Sequence, residues 1–235
     1  MTDLLPTGLA KSWDGDPGET GRGPRPSASL TGVIDAAVEL GDRDGVAGMS
    51  FARIAQQLKF TPNALYRYVE SRDELHVLVR ERALGTPPEL LGRSWREDVT
   101  AWADALLARY WQHPWLLDLA VRLPIGPATL TWLECLLQAV EPLKLDEPTR
   151  LRVATLVDGY VRTCAGLVRD LAGGGDVLDP SVGVFIAPRI ADRGLARVSG
   201  LMTSGAFAPA GDGIDDDYRF GLECILDGIA ARVQA

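Results

Sequence analysis

The sequence predicts an all-α fold, and three observations carry that prediction. Apolar residues recur every three or four positions through most of the chain, the spacing of one helix face. Trp95, Val99, Trp102, Leu106, Tyr110 and His113 form one such continuous stripe. No segment alternates apolar and polar residues over five positions, so strands are not expected. No apolar run approaches the roughly 20 residues that cross a bilayer, and the first residues lack a basic-then-apolar leader. A chain of 235 residues can build a core without disulfide or metal staples.

The elements follow in order. Residues 1–28 are rich in Gly, Pro, Ser and Asp without an apolar period, which reads as a disordered arm. Arg22 and Arg25 close that arm among helix breakers, either as a solvated tail or as a minor-groove contact. Ser29 is a good N-cap for a first helix to about Asp42, with Val33, Ala36, Ala37 and Leu40 inward. The turn-rich GDRDGVAG ends it. A short helix from Ser50 to Leu58 places Phe51, Ile54, Ala55 and Leu58 on one face. Three residues, Lys59, Phe60 and Thr61, lead to a third helix opening at Pro62 and ending near Val69, with Leu65 and Tyr68 inward. Ser71 and Glu74 form a capping-box pattern for a fourth.

Beyond Thr86-Pro87-Pro88 the helices lengthen. The Trp95–His113 stripe stops at Pro114, and another helix runs from about Pro127 to Val140. Asp146 and Pro148 open a long one that ends at Gly173-Gly174-Gly175. Residues 182–202 read as irregular, broken by Pro188 and glycines. A last helix runs from about Asp215 to Val233, with Leu222, Leu226, Ile229 and Val233 on one face. This helix and the long one carry stripes broad enough to pair across a two-fold axis as a four-helix bundle.

The net charge of −8 argues against coating a polyanion by bulk attraction. The exception is local: from Arg53 to Arg72, four basic residues face only Glu70. Three widely spaced cysteines fit a reduced cytoplasmic interior and exclude zinc fingers and disulfide scaffolds.

Short helix, three-residue turn, short helix is a helix-turn-helix, whose second helix enters the DNA major groove. The run from Met49 to Leu75 and the lead-in GRGPRPSASLTGVIDAAVEL resemble the DNA-binding domain of TetR-family bacterial transcriptional regulators. Ile54-Ala55, LYRYV from Leu65 to Val69, and SRDEL from Ser71 to Leu75 carry the resemblance. His113-Pro114-Trp115 and the closing FGLECILDGIAARV are similar to the tetracycline-repressor subgroup.

The resemblance implies a DNA-binding domain over 29–84 and a ligand-binding and dimerisation domain over 85–235. Carried onto this chain, Thr61, Pro62, Asn63, Tyr66 and Arg67 face DNA, and Arg72 stands where the family usually has a phosphate-binding lysine. Hydroxyls, an amide and a guanidinium are the groups that read base edges and phosphates. Ser50, Arg53 and Lys59 complete the candidate face. Lys59 departs from the family's glycine, so it either adopts a left-handed conformation or alters the turn.

Five of six tryptophans fall between Trp95 and Trp132. They serve as core, or with Leu106, Tyr110 and His113 as the wall of an aromatic-ligand pocket in which Trp102, Trp115 and Trp132 take part. Asp158 and Arg162, four apart on an apolar helix, form a structural ion pair or orient a ligand. His76 and His113 are the only histidines and cannot rebuild a drug–magnesium site. A calcium-loop reading of 212–223 fails, because Ile214 replaces a ligand and Asp217 occupies the glycine position. No catalytic motif occurs, and no metal or cofactor is expected.

These expectations combine into a cytoplasmic homodimeric repressor, released from a near-palindromic double-stranded operator by a small-molecule effector. The alternatives are an activator or global regulator with the same DNA module, or an all-helical ligand-binding protein without DNA function.

Overall fold

The computed structural model describes residues 5–14, 29–120, 125–173, 180–204 and 213–233. These form α-helices joined by turns, with no strand among the described residues. They are α1 (Thr7–Asp14), α2 (Leu30–Asp44), α3 (Phe51–Leu58), α4 (Pro62–Leu65), α5 (Arg72–Leu84) and α6 (Trp95–Gln112). Then come α7 (Pro127–Ala139), α8 (Glu147–Gly173), α9 (Pro180–Asp192), α10 (Ala196–Thr203) and α11 (Gly213–Val233). The chain divides into two compact units, Met1–Ala165 and Gly166–Gln234.

Capping residues set most of the expected starts. The hydroxyls of Ser29, Ser71 and Ser94 each accept the amide three residues on, at 3.0, 3.1 and 3.2 Å. Asp146 does the same for Thr149 at the start of α8. Gly45, at φ +68°, turns the chain out of α2.

Within the first unit, α2 lies against α3 and α5, and α5 in turn packs on α1, α6 and α7. Its core includes Val33, Ala37, Leu40, Ile54, Leu65 and Leu78. Contacts also join residues on either side of the expected division at 84/85: the Ala128 amide of α7 donates to the Glu81 carboxylate of α5 at 2.6 Å. In the second unit α9 packs on α10, and Tyr218, Leu222, Leu226 and Ile229 of α11 are buried.

Two irregular segments prove helical. Residues 7–14 form α1 rather than continuing a disordered arm. An isolated helix of eight residues is marginal in water, so tertiary contacts supply what its sequence lacks. The Glu74 carboxylate of α5 accepts the Gly8 and Leu9 amides at 2.7 and 3.2 Å, and Glu70 accepts Thr7 through both its amide and its hydroxyl. A Cβ on Gly8 would stand 2.9 Å from the Glu74 carboxylate, so glycine permits the close approach. Trp13 donates its indole N–H to the Ile125 carbonyl. Residues 182–202, expected to be irregular, carry α9 and α10. Pro188 removes one backbone bond inside α9 without ending it, and the break falls at Gly194 with φ +68°.

Glu74 therefore departs from the simple capping box. One oxygen takes the Glu70 amide while the other holds α1. Glu74 as a residue has a relative exposure of 3%. Replacing Glu74 with Ala leaves the Gly8 and Leu9 amides without their acceptor. We expect a loss of about 2–4 kcal/mol in denaturant unfolding. Amide exchange should accelerate first in residues 7–13. Unchanged exchange there would remove this account of α1.

Candidate nucleic-acid interface and interior cavity

The α3–α4 pair forms the expected helix-turn-helix. Ser50 caps α3 by accepting the Arg53 amide at 3.4 Å. Lys59 stands at φ 58°, ψ 38°, the left-handed conformation, so the first of its two sequence readings holds. The Phe60 amide reaches back to the Ala55 carbonyl at 2.8 Å and the Lys59 amide to Gln56 at 3.2 Å. This pair of bonds is a Schellman termination, which requires the left-handed residue.

The helix expected from Pro62 to Val69 is α-helical only to Leu65. There the chain tightens: the Leu65 carbonyl accepts both the Tyr68 amide at 2.8 Å and the Val69 amide at 3.0 Å. Leu65 and Val69 anchor the turn in the core, whereas Tyr68 is half-buried. Thr61, Pro62, Asn63, Tyr66 and Arg67 all lie exposed around these anchors. Tyr66, 55% exposed, meets Phe51 edge-on with ring centroids 5.0 Å apart, which orients the ring without hiding it.

Charge is distributed less evenly than composition suggests. Arg53 pairs with Asp44 at the end of α2, and Arg43 bonds the same carboxylate at 3.0 Å. The hydrogen bond from Arg43, and then that from Arg53, hold the Asp44 carboxyl below the usual range. Asp44 is thus shared between two guanidiniums, and the cluster keeps one net positive charge. Lys59, Arg67 and Arg72 are exposed and make no ion pair among the described residues. Arg22 and Arg25 lie outside the described residues.

Beneath this module, α5, α6, α7 and α8 border an open cavity of about 290 Å³, near the lower end of small-molecule sites. Trp102, Leu106, Tyr110, Trp132, Asp158 and Arg162 line it, as expected from sequence. Trp102 is also core: its indole N–H donates to the Trp132 carbonyl at 2.9 Å, and the two rings meet edge to face at 5.7 Å.

His113 and Trp115 do not line the cavity. Both point at Asp42 of α2, each with a ring nitrogen 2.6 Å from the same carboxylate oxygen. Pro114 ends α6 and starts a 3₁₀ turn, Pro114–Asp118, which swings these rings toward α2. The expected Asp158–Arg162 ion pair is absent too. Arg162 instead donates to the carbonyls of Leu116, Leu117 and Leu119, the Leu117 contact being 2.6 Å.

Sequence reading missed Arg80, Leu84 and Thr129 in the wall. It also missed Glu81, whose buried carboxylate accepts the Ala128 and Thr129 amides at 2.6 and 3.2 Å. Glu81 thereby caps α7, whose own N-cap, Gly126, has no side chain to do so. A Cβ on Gly126 would fall 2.1 Å from the Glu81 carboxyl carbon. The available signal was a Gly-Pro helix start lacking a local cap.

Comparison with known proteins agrees with both halves of this arrangement. Residues 33–77 match the family model for bacterial regulatory proteins of the tetR family. Residues 87–233 match that for the tetracyclin repressor-like C-terminal domain. The chain is 32% identical over 222 residues to the HTH-type transcriptional repressor DrrR1 of Streptomyces coeruleorubidus, covering 90% of this chain and 81% of that one. In fold it is similar to Streptomyces coelicolor ActR in complex with (S)-DNPA, at TM-score 0.73, 23% identity, and 87% and 98% coverage. It is also similar in fold to BioQ with its double-stranded DNA operator, at TM-score 0.55, 19% identity, and 86% and 98% coverage. A matched helix-turn-helix, a matched C-terminal domain and a relative aligned over most of both chains leave one assignment: the chain is a DNA-binding transcriptional regulator of the TetR family.

Proposed function

We propose that this protein is a cytoplasmic homodimeric repressor that reads a near-palindromic operator and releases it when a small molecule fills the cavity. Its activity is binding, not catalysis. The observation that carries the reading is the double use of α5. Its exposed first residue, Arg72, belongs to the cationic face, while Arg80 and Leu84 belong to the cavity wall. A ligand that favours one position of α5 changes the presentation of α3 and α4, and two such modules in a dimer must match the operator's spacing.

Three exposed cations without an ion pair among the described residues, in an acidic protein, disfavour a ligand-binding protein without DNA function. A repressor is favoured over an activator by the similarity to DrrR1. Ser50 and Arg53 contribute chiefly to building the face, through the α3 cap and the Asp44 pair. Lys59, Arg67 and Arg72 are the phosphate and base contacts, with Thr61, Asn63 and Tyr66 beside them.

Arg67→Ala and Arg72→Ala test the face. Loss of a phosphate contact lowers affinity for all sequences and reduces the salt slope by about one per subunit. Loss of a base contact costs about 1–3 kcal/mol and relaxes preference at one operator position. We expect the first behaviour from Arg72 and either from Arg67 in anisotropy titrations. Parental affinity and slope in both variants would misplace the interface.

Thr155→Trp tests the cavity. Thr155 is exposed at the cavity wall, so an indole there obstructs the space without disturbing the core. Operator affinity should stay within a factor of about three, while the response to effector falls at least tenfold, about 1.4 kcal/mol. An undiminished response would place the effector elsewhere.

The dimer is tested at Phe220, which is 71% exposed on α11, in a unit that also exposes Leu167 and Leu171. Large exposed apolar side chains of this kind mark association surfaces. Ile229 is only 6% exposed within one chain, so its replacement would damage the core first. Phe220→Asp should sediment as a folded monomer at micromolar concentration. A persistent dimer would exclude this face of α11.

A further inference from the structure

The cavity has a polar end, where Arg80, Tyr110, Asp158 and Arg162 act on one another's charge. Most of these groups are already engaged. Arg80 donates to the Leu119 and Ala120 carbonyls, the latter at 3.1 Å. Arg162 donates to three carbonyls of the 114–119 segment, with its guanidinium 6.0 Å from the Tyr110 ring centre. Asp158 makes no hydrogen bond or ion pair among the described residues. It is exposed to the open space it lines, so water reaches it. Partial desolvation by the protein around it pushes its carboxyl up from the ordinary range, and the two guanidiniums pull against that shift. The remaining wall is apolar. The indole N–H groups of Trp102 and Trp132 are spent on backbone carbonyls, so these rings offer the cavity only carbon surface.

We propose that the cavity recognises an uncharged aromatic molecule with hydroxyl groups along one edge, one of which donates to Asp158. This rests on the reading of the cavity as the effector site and names the chemical class it takes. The polar end carries a net charge of +1, two guanidiniums against one carboxylate, and it is the placement of these charges that selects against ions. An ammonium group would meet Asp158 but face two guanidiniums, and a carboxylate would meet arginines already committed to carbonyls while facing Asp158. A hydroxyl donates to the carboxylate without adding charge, and its oxygen accepts from a guanidinium N–H left over. The flat apolar wall takes the ring system.

Calorimetric titration of the full chain at pH 7 with four probes of one scaffold tests this: 2,3-dihydroxynaphthalene, naphthalene, 2-naphthoate and 2-naphthylmethylammonium. The dihydroxy compound should bind one site per chain about 10–100 times more tightly than each of the others, the range for a hydrogen bond to a charged group. Asp158→Leu should erase its advantage over naphthalene while leaving naphthalene binding intact. Asp158→Asn, which keeps an acceptor, should reduce it partway. Tighter binding of either ion, equal binding of all four, no binding of any, or an unchanged preference in both variants would each overturn the proposal. Labelled operator DNA, titrated with the dihydroxy compound, separates the two readings. The expected binding order without release of DNA upholds the recognition and overturns the effector role.

Discussion

Two buried carboxylates on one helix organise the first unit. Glu74 and Glu81 stand seven residues apart on α5, two turns along one side, and each receives the first amides of another helix. Burying a carboxylate is costly unless donors meet it. The unpaired amides at a helix start are donors with a matching requirement, and the helix dipole adds to the attraction. Satisfying one need satisfies the other. Thus α1 and α7 are held at fixed positions along α5, although neither starts with a strong cap of its own. The glycines at both contacts, Gly8 and Gly126, leave the carboxylates room to approach. The fold around α5 is a problem of polar satisfaction as much as of apolar burial.

This arrangement bears on how a cavity can address a distant surface. Thr129 lines the cavity and also donates to Glu81, while Arg80 and Leu84 on the same helix line it directly. The Arg80 and Arg162 guanidiniums tie the 114–119 segment to α5 and α8, through the carbonyls of Leu119 and Leu117. From that segment Trp115, with His113 just before it, returns to Asp42 on α2. The DNA module is therefore connected to the cavity wall along two routes, one through α5 and one through α2. Coupling requires an element with two arrangements that both sites bias. In the proposed mechanism α5 is that element, and its polar contacts at both ends limit how far it can move.

What the sequence disclosed was whatever local chemistry decides. Helix starts at Ser29, Ser50, Ser71 and Asp146 were legible because a capping side chain and the amide it serves lie within one turn. The helix-turn-helix was legible from its short helices and three-residue turn. What escaped depends on partners far along the chain. The helix α1 was hidden because its acceptor, Glu74, lies more than 60 residues away. His113 was assigned to a pocket because it continues the apolar stripe of α6, but Pro114 ends that helix and the ring turns to Asp42. Asp158 and Arg162 have ion-pair spacing, yet backbone carbonyls of a neighbouring turn claim the guanidinium. Arg53 was counted among the free cations until Asp44 took it.

Lys59 shows how local stability and surface charge trade against each other. A left-handed residue is needed to end α3 with both Schellman bonds, and glycine adopts that conformation most easily. A side chain there costs about 1 kcal/mol. The fold absorbs this cost because the turn is pinned from both sides, by Ile54 and Ala55 before it and by Leu65 after it, all buried. In return, a cation is carried at the entrance to α4, where no acidic partner among the described residues neutralises it. Arg53 shares Asp44 with Arg43, whereas Lys59, Arg67 and Arg72 are exposed with no ion pair among the described residues. A protein of net charge −8 must concentrate its positive potential to approach a polyanion. In the proposed interface the left-handed lysine is one of three residues that do so, which would give a physical reason for a position that backbone geometry alone would assign to glycine.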